Sequence, residues 1–145
     1  MSHIPYESLA PKLADQRIML IGGAGFIGHN LALELARMGA TVMIVDNLMV
    51  NSLIENSFVE EQDPVQRTAY RNFLNERFGL LRSSHVQLRN ADARLLADLG
   101  RCFEEFDPTK VVHMAAIASA VDAKKEPGLA FDLQLITLRN TLELV

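Results

Sequence analysis

The sequence predicts an α/β fold, a parallel sheet wound on both faces by helices, and three observations carry the prediction. Strand-like and helix-like segments alternate along the chain. The apolar run Ile18-Met19-Leu20-Ile21 breaks directly into Gly22, Gly23, Gly25 and Gly28, and a helical pattern begins at once. A second apolar run, Thr41-Val42-Met43-Ile44-Val45, closes on an acid, Asp46. Apolar runs without polar alternation mark parallel strands buried on both faces.

In chain order, residues 1–16 carry Pro5, Glu7, Pro11, Lys12 and Asp15 and no apolar stretch, so they read as a tail or strap and not a signal peptide. Residues 17–145 read as one domain. Its first strand covers 18–21. From Phe26 to Met38, Ile27, Leu31, Leu35 and Met38 recur at helical spacing, and Gly39 stands where a glycine ends a helix. Residues 41–45 form the second strand. A long connection follows at 47–85. Its polar first part, Asn47 to Gln62, suggests no element; from Asp63 and Pro64 through Leu81 a helix is predicted. Asp63 caps it, Pro64 suits its first turn, and Ala69, Phe73, Arg77, Leu80 and Leu81 keep its period. Val86 to Arg89 is the third strand. Ala93 to Phe106 is a helix with Leu95, Leu96, Leu99, Cys102, Phe103 and Phe106 inward, stopped by Asp107-Pro108. Lys110 to Met114 is the fourth strand. The last helix starts near Pro127 with Leu129, Leu133, Leu135, Ile136, Leu138, Leu142 and Val145. Right-handed crossovers then order the sheet 3-2-1-4, a Rossmann-type doubly wound arrangement.

Glycines at a strand-to-helix turn permit a tight bend and close backbone approach to a pyrophosphate, and the helix start offers N–H groups and partial positive charge. Two registers stay open. Gly22, Gly25 and Gly28 satisfy G-x-x-G-x-x-G, while Gly23, Gly25 and Gly28 satisfy G-x-G-x-x-G. Asp46 is placed to accept from the adenosine ribose hydroxyls and would repel a 2′-phosphate, which favours NAD over NADP. Arg37, the base nearest on the preceding helix, lies at the wrong end to compensate.

Composition excludes other classes. A net charge of −4 with interspersed acids and bases offers no nucleic-acid or anionic-membrane surface, and 49% hydrophobic residues exclude a disordered chain. No stretch is long and apolar enough to span a bilayer. Cys102 stands alone, so an internal disulfide and a cysteine-built metal site are excluded, and a cytoplasmic setting fits. His3, His29, His85 and His113 are too scattered to bind a metal. His29, in the first helical turn, reads as solvent-exposed. Arg67, Arg71 and Arg77 read as a solvated face and not an anion site. Ser119 reads as a loop serine bonded to local backbone, with substrate contact as the sharper alternative. Lys124 and Lys125 beside Glu126 read as solvated.

Five pieces stand in a fixed order: Gly22-Gly23-Ala24-Gly25-Phe26-Ile27-Gly28, Asp46-Asn47-Leu48, Ala91-Asp92, Val111-Val112-His113-Met114-Ala115-Ala116, and Pro127 opening a helix. Together, over residues 17–145, they resemble the extended short-chain dehydrogenase/reductase family, specifically its NAD-dependent nucleotide-sugar epimerases and dehydratases. The resemblance implies an NAD site built from Gly22, Gly25, Phe26, Ile27, Gly28, Asp46, Asn47, Asp92, Ala93, Ala115 and Ala116, and no metal. Asp92 and Ala93 would hold the adenine, Ala115 and Ala116 would let the chain pass close to the cofactor, and His113 would be structural. The chain departs from the family pattern in four places. Ile21 stands where the family often has Thr, and the connection after Asp46 is long. Gln134-Leu135-Ile136-Thr137-Leu138 replaces Asn-x-x-Gly-Thr, and the stretch from Ile117 to Asp122 lacks a basic residue.

The family's acid–base group is a Tyr-x-x-x-Lys pair, in which the lysine lowers the phenol pKa. Here Tyr6 is followed at that spacing by Ala10 and Tyr70 by Leu74. The expectation is therefore the N-terminal, cofactor-binding part of a longer enzyme, with no catalytic residue among these 145 and with the fifth strand and substrate domain beyond Val145. The implied activity is epimerisation or dehydration of a nucleotide-activated sugar through transient hydride transfer to NAD, in a full-length homodimer. The alternative is a non-catalytic regulatory domain that senses the dinucleotide with the same fold.

Overall fold

The computed structural model describes Ser8 and residues 10–49, 63–117 and 120–145; residues 1–7 (with Tyr6), residue 9, the stretch 50–62 and residues 118–119 (with Ser119) lie outside the described residues. Its elements are α1 (Ala10–Leu13), β1 (Arg17–Ile21), α2 (Phe26–Arg37), β2 (Thr41–Asp46), α3 (Pro64–Ser83), β3 (Gln87–Asn90), α4 (Leu96–Phe106), β4 (Lys110–His113), α5 (Ala120–Lys125), α6 (Pro127–Phe131) and α7 (Thr137–Leu144). A π-helical turn, Asp132–Ile136, joins α6 to α7.

The four strands form one parallel sheet in the order β3-β2-β1-β4, as expected. Ile21 pairs with both Val45 and His113, and Asp46 pairs with Asn90, so the C-terminal ends of all four strands meet at one edge. The two inner strands divide their side chains by strict alternation. Ile18, Leu20, Val42 and Ile44 face one side, where Ala32 of α2 and Leu81 of α3 cover them. Met19, Ile21, Met43 and Val45 face the other, under Leu99, Cys102, Phe103 and Phe106 of α4 and Leu144 of α7. This two-sided burial is why neither strand shows polar alternation.

Local signals set two of the helix ends. Gly39 adopts φ 91° and returns its N–H to the Ala36 carbonyl at 3.0 Å, closing α2. Asp63 caps α3 by accepting from the Val65 N–H at 3.0 Å, with Pro64 in the first turn. Two expectations need correction. The helix expected from Ala93 starts only at Leu96. A turn closed by Leu95 N–H on the Asp92 carbonyl precedes it, which leaves Leu95 and Leu96 exposed. In the last helix, Leu135, Leu138, Leu142 and Val145 are exposed, while Leu133, Thr137, Asn140 and Thr141 are buried. A π turn holds one extra residue, so it rotates the inward stripe away from the leucines and onto these polar residues.

Candidate dinucleotide site

The site begins where β1 ends. Gly22 has φ 76°, and a Cβ there would lie 2.5 Å from Ala115 Cα and 2.6 Å from its N, so the turns after β1 and β4 touch backbone to backbone. Ala115 packs against the core cluster to which Met19 and Ile21 belong, while Ala116 beside it is exposed. A Cβ on Gly28 would lie 2.4 Å from the Gly23 carbonyl oxygen, which seats the first turn of α2 directly on the loop. Gly25 differs: a Cβ there would meet nothing within 4 Å. It is the N-cap of α2, with no side chain capping the N–H groups of the first turn. That turn holds Phe26 and Ile27, both largely exposed. An open glycine at an uncapped helix start is the room and the donor set a pyrophosphate requires.

Asp46 ends β2 alongside this loop. One carboxylate oxygen accepts from the Ala24 N–H at 2.9 Å and the other from the Leu48 N–H at 2.8 Å. The Ala24 carbonyl in turn accepts from Arg77 Nη1 of α3, also at 2.9 Å. Arg77 is 5% exposed, and its guanidinium lies 4.7 Å from the centre of the Phe73 ring. The expectation of a solvated arginine face thus fails at Arg77, because α3 turns Leu74, Arg77 and Leu81 toward the sheet. His29 needs correcting too. It is 6% exposed, with Nδ1 2.9 Å from the Gly25 carbonyl and its ring edge-on to Phe26, so it braces the first turn instead of facing solvent.

At the other end of this edge, Asp92 follows β3. Arg94 Nε and Nη2 donate to its two oxygens at 3.0 and 2.6 Å, and the Arg94 backbone N–H donates at 2.9 Å. These bonds, with a further one from the Asn47 side chain, outweigh partial burial and hold the Asp92 carboxyl below its usual range. Ala93 is buried beside it, and Asn140 of α7 donates to the carbonyls of Ala93 and Arg94 at 3.0 and 2.9 Å. The strand ends therefore bring Gly22, Gly25, Phe26, Ile27, Gly28, Asp46, Asn47, Asp92, Ala93, Ala115 and Ala116 to one rim.

His113 ends β4, with Nε2 2.9 Å from Thr137 Oγ1. The Thr137 hydroxyl spends its proton on the Leu133 carbonyl at 2.6 Å, so His113 donates, as a neutral Nε2–H imidazole does. Burial lowers its pKa below 6.5. Well above the ordinary imidazole range His113 is neutral folded or unfolded and leaves stability unchanged; as the pH falls through that range the unfolded chain takes up the proton first, so stability falls until the pH passes the lowered folded pKa. Melting temperatures across this window should show that fall in the wild type and a shallower one in His113→Gln. Equal slopes would exclude His113 as its source.

Lys124 and Lys125 are exposed, as expected. Cys102 is buried, and burial pushes its thiol pKa up, away from reactive thiolate. Among the described residues no group of three histidine, cysteine or acidic side chains is placed to hold a metal, and no helix is long and apolar enough to cross a membrane. The sequence reading gave no site role to Arg77, Arg94, Thr137 or Asn140. Arg77 kept the period of a buried face, a signal that its charge obscured.

Comparison with known proteins sets this geometry in context. The NAD dependent epimerase/dehydratase family matches residues 18–145. A bifunctional UDP-glucose 4-epimerase and UDP-xylose 4-epimerase of Pisum sativum is 26% identical over 132 residues, 91% of this chain and 33% of its own length. A UDP-glucose 4-epimerase of Dictyostelium discoideum is 31% identical, over 89% of this chain and 33% of its own. Among solved structures, the UDP-glucose 4-epimerase of Thermus thermophilus in complex with NAD superposes with a TM-score of 0.63 at 29% identity, over 88% of this chain and 33% of that one. The chain thus spans about a third of the length of the curated relatives it matches.

Proposed function

Since the chain belongs to the NAD-dependent epimerase/dehydratase family, we propose that it forms the cofactor-holding part of an enzyme acting on a nucleotide-activated sugar, a UDP-sugar by the names of its relatives. The observation that supports this best is the Gly22 to Gly28 turn, open at Gly25 and uncapped at α2, with Asp46 beside it. In this reading Gly25, Phe26, Ile27 and Gly28 offer the pyrophosphate backbone N–H groups, while Gly22, whose own N–H donates to the Val45 carbonyl at 2.8 Å, shapes the turn that carries them. Asp46 and Asn47 hold the adenosine ribose, Asp92 and Ala93 the adenine, and Ala115 and Ala116 keep the turn after β4 slim where the cofactor passes. Bound NAD supplies a reversible acceptor for hydride from a sugar carbon. The residues of this chain orient it and move no proton. Proton transfer falls to a Tyr-x-x-x-Lys pair outside these 145 residues, since neither Tyr6 nor Tyr70 has a lysine at that spacing. A homodimer is part of the same proposal.

Asp46 makes cofactor choice the test. Placing a 2′-phosphate beside its carboxylate costs repulsion, so calorimetric titration should show NAD bound at least about tenfold more tightly than NADP, about 1.4 kcal/mol. Equal or tighter NADP binding would overturn the assignment of Asp46. Turnover of a UDP-sugar by the full-length enzyme distinguishes catalysis from dinucleotide sensing.

A further inference from the structure

We propose that Arg77, carried by α3 in the long β2–β3 connection, is a positioning residue for the cofactor's pyrophosphate; the inference rests on the NAD reading above. Arg77 acts on the Ala24–Gly25 peptide. Arg77 Nη1 donates to its carbonyl from a residue 53 positions away, and Asp46 Oδ2 accepts the N–H of the peptide before it. Two peptide planes in succession are thus held by side chains from two different elements. In a trans peptide the C=O and the following N–H point in opposite directions, and the described residues contain no cis bond. Drawing the Ala24 carbonyl toward α3 therefore turns the Gly25 N–H away from α3. Gly25 is the loop residue at which an added Cβ meets nothing. Arg77 thereby aims a backbone donor at the open end of the turn.

Its charge adds to this. Arg77, buried as a residue behind a loop that receives a dianionic pyrophosphate, is largely shielded from solvent, and charge screened less by water acts more strongly. Stacking on Phe73 fixes its plane, and Leu74 and Leu81 on the same face of α3 anchor the helix in the core. The pair Phe73 and Arg77 thus makes α3 part of the cofactor site, although none of its residues belongs to the glycine motif.

The experiment compares the binding of NAD, which carries the pyrophosphate, with that of adenosine, which shares only the ribose and base. It uses the wild type, R77M and R77K. R77M should lose about tenfold or more in NAD affinity while adenosine stays within about twofold, and R77K, with charge but no planar fork, should fall between. NAD affinity unchanged in R77M, or NAD and adenosine weakened in equal proportion, would overturn the proposal, the second result marking a purely structural role. Should R77M fail to fold, R77K is judged by the same ratio. A wild type that binds no NAD would instead overturn the cofactor reading itself.

Discussion

Replacing Gly25 with alanine should lower NAD affinity at least about tenfold, roughly 1.4 kcal/mol, and cost the fold no more than about 1 kcal/mol. At φ −70° and ψ −177° the backbone of Gly25 is extended, a conformation open to any residue. The new methyl group meets no protein atom within 4 Å, so a ligand lying on the loop is what would feel it. Gly22→Ala should behave in the opposite way. Its φ of 76° strains any Cβ, and the methyl would sit 2.5 Å from the Ala115 backbone. Left-handed strain of about 1–2 kcal/mol and overpacking of about 1–3 kcal/mol then add, and the protein should melt far lower. Thermal melts with calorimetric NAD titration separate the two glycines. Normal NAD binding by Gly25→Ala would show that the pyrophosphate lies elsewhere.

Asn140→Leu should cost about 2–4 kcal/mol, because a side chain of nearly the same shape leaves two carbonyls without their donor. Asn140 is 0% exposed and donates to both Ala93 and Arg94, while its own oxygen accepts from Arg139 Nη2 at 3.0 Å. Those carbonyls lie in the turn after Asp92, so the same variant should weaken binding of the adenine end. Denaturant unfolding gives the first effect and adenosine competition the second. A loss below about 1 kcal/mol would mean that water replaces the amide at little cost.

Much of this arrangement was legible in the chain itself. Continuous apolar runs identify β1 and β2, because strands buried on both faces admit no polar side chain. Asp63-Pro64 and Gly39 mark helix ends through bonds made within a few residues, so local sequence suffices to place them. The glycine spacing and Asp46 located the candidate site for the same reason: each residue acts through its own backbone or at the end of its own strand. The resemblance added Asp92, Ala93, Ala115 and Ala116 to that rim.

What sequence alone determined, then, is the order of strands and helices and the turn at which a dinucleotide is expected. Tertiary structure alone decided which polar side chains hold that turn in place. Arg77 reaches Ala24 across 53 residues, Asn140 reaches Ala93 across 47, and Thr137 reaches His113 across 24. No periodicity records such pairings. Helical period can place a charge such as Arg77 on an inward face, but only the packed helices fix whether a carbonyl waits within its reach. The π turn at Asp132–Ile136 makes the point for α7: one extra residue in one turn rotates the buried stripe onto Thr137, Asn140 and Thr141 and leaves the leucines outside.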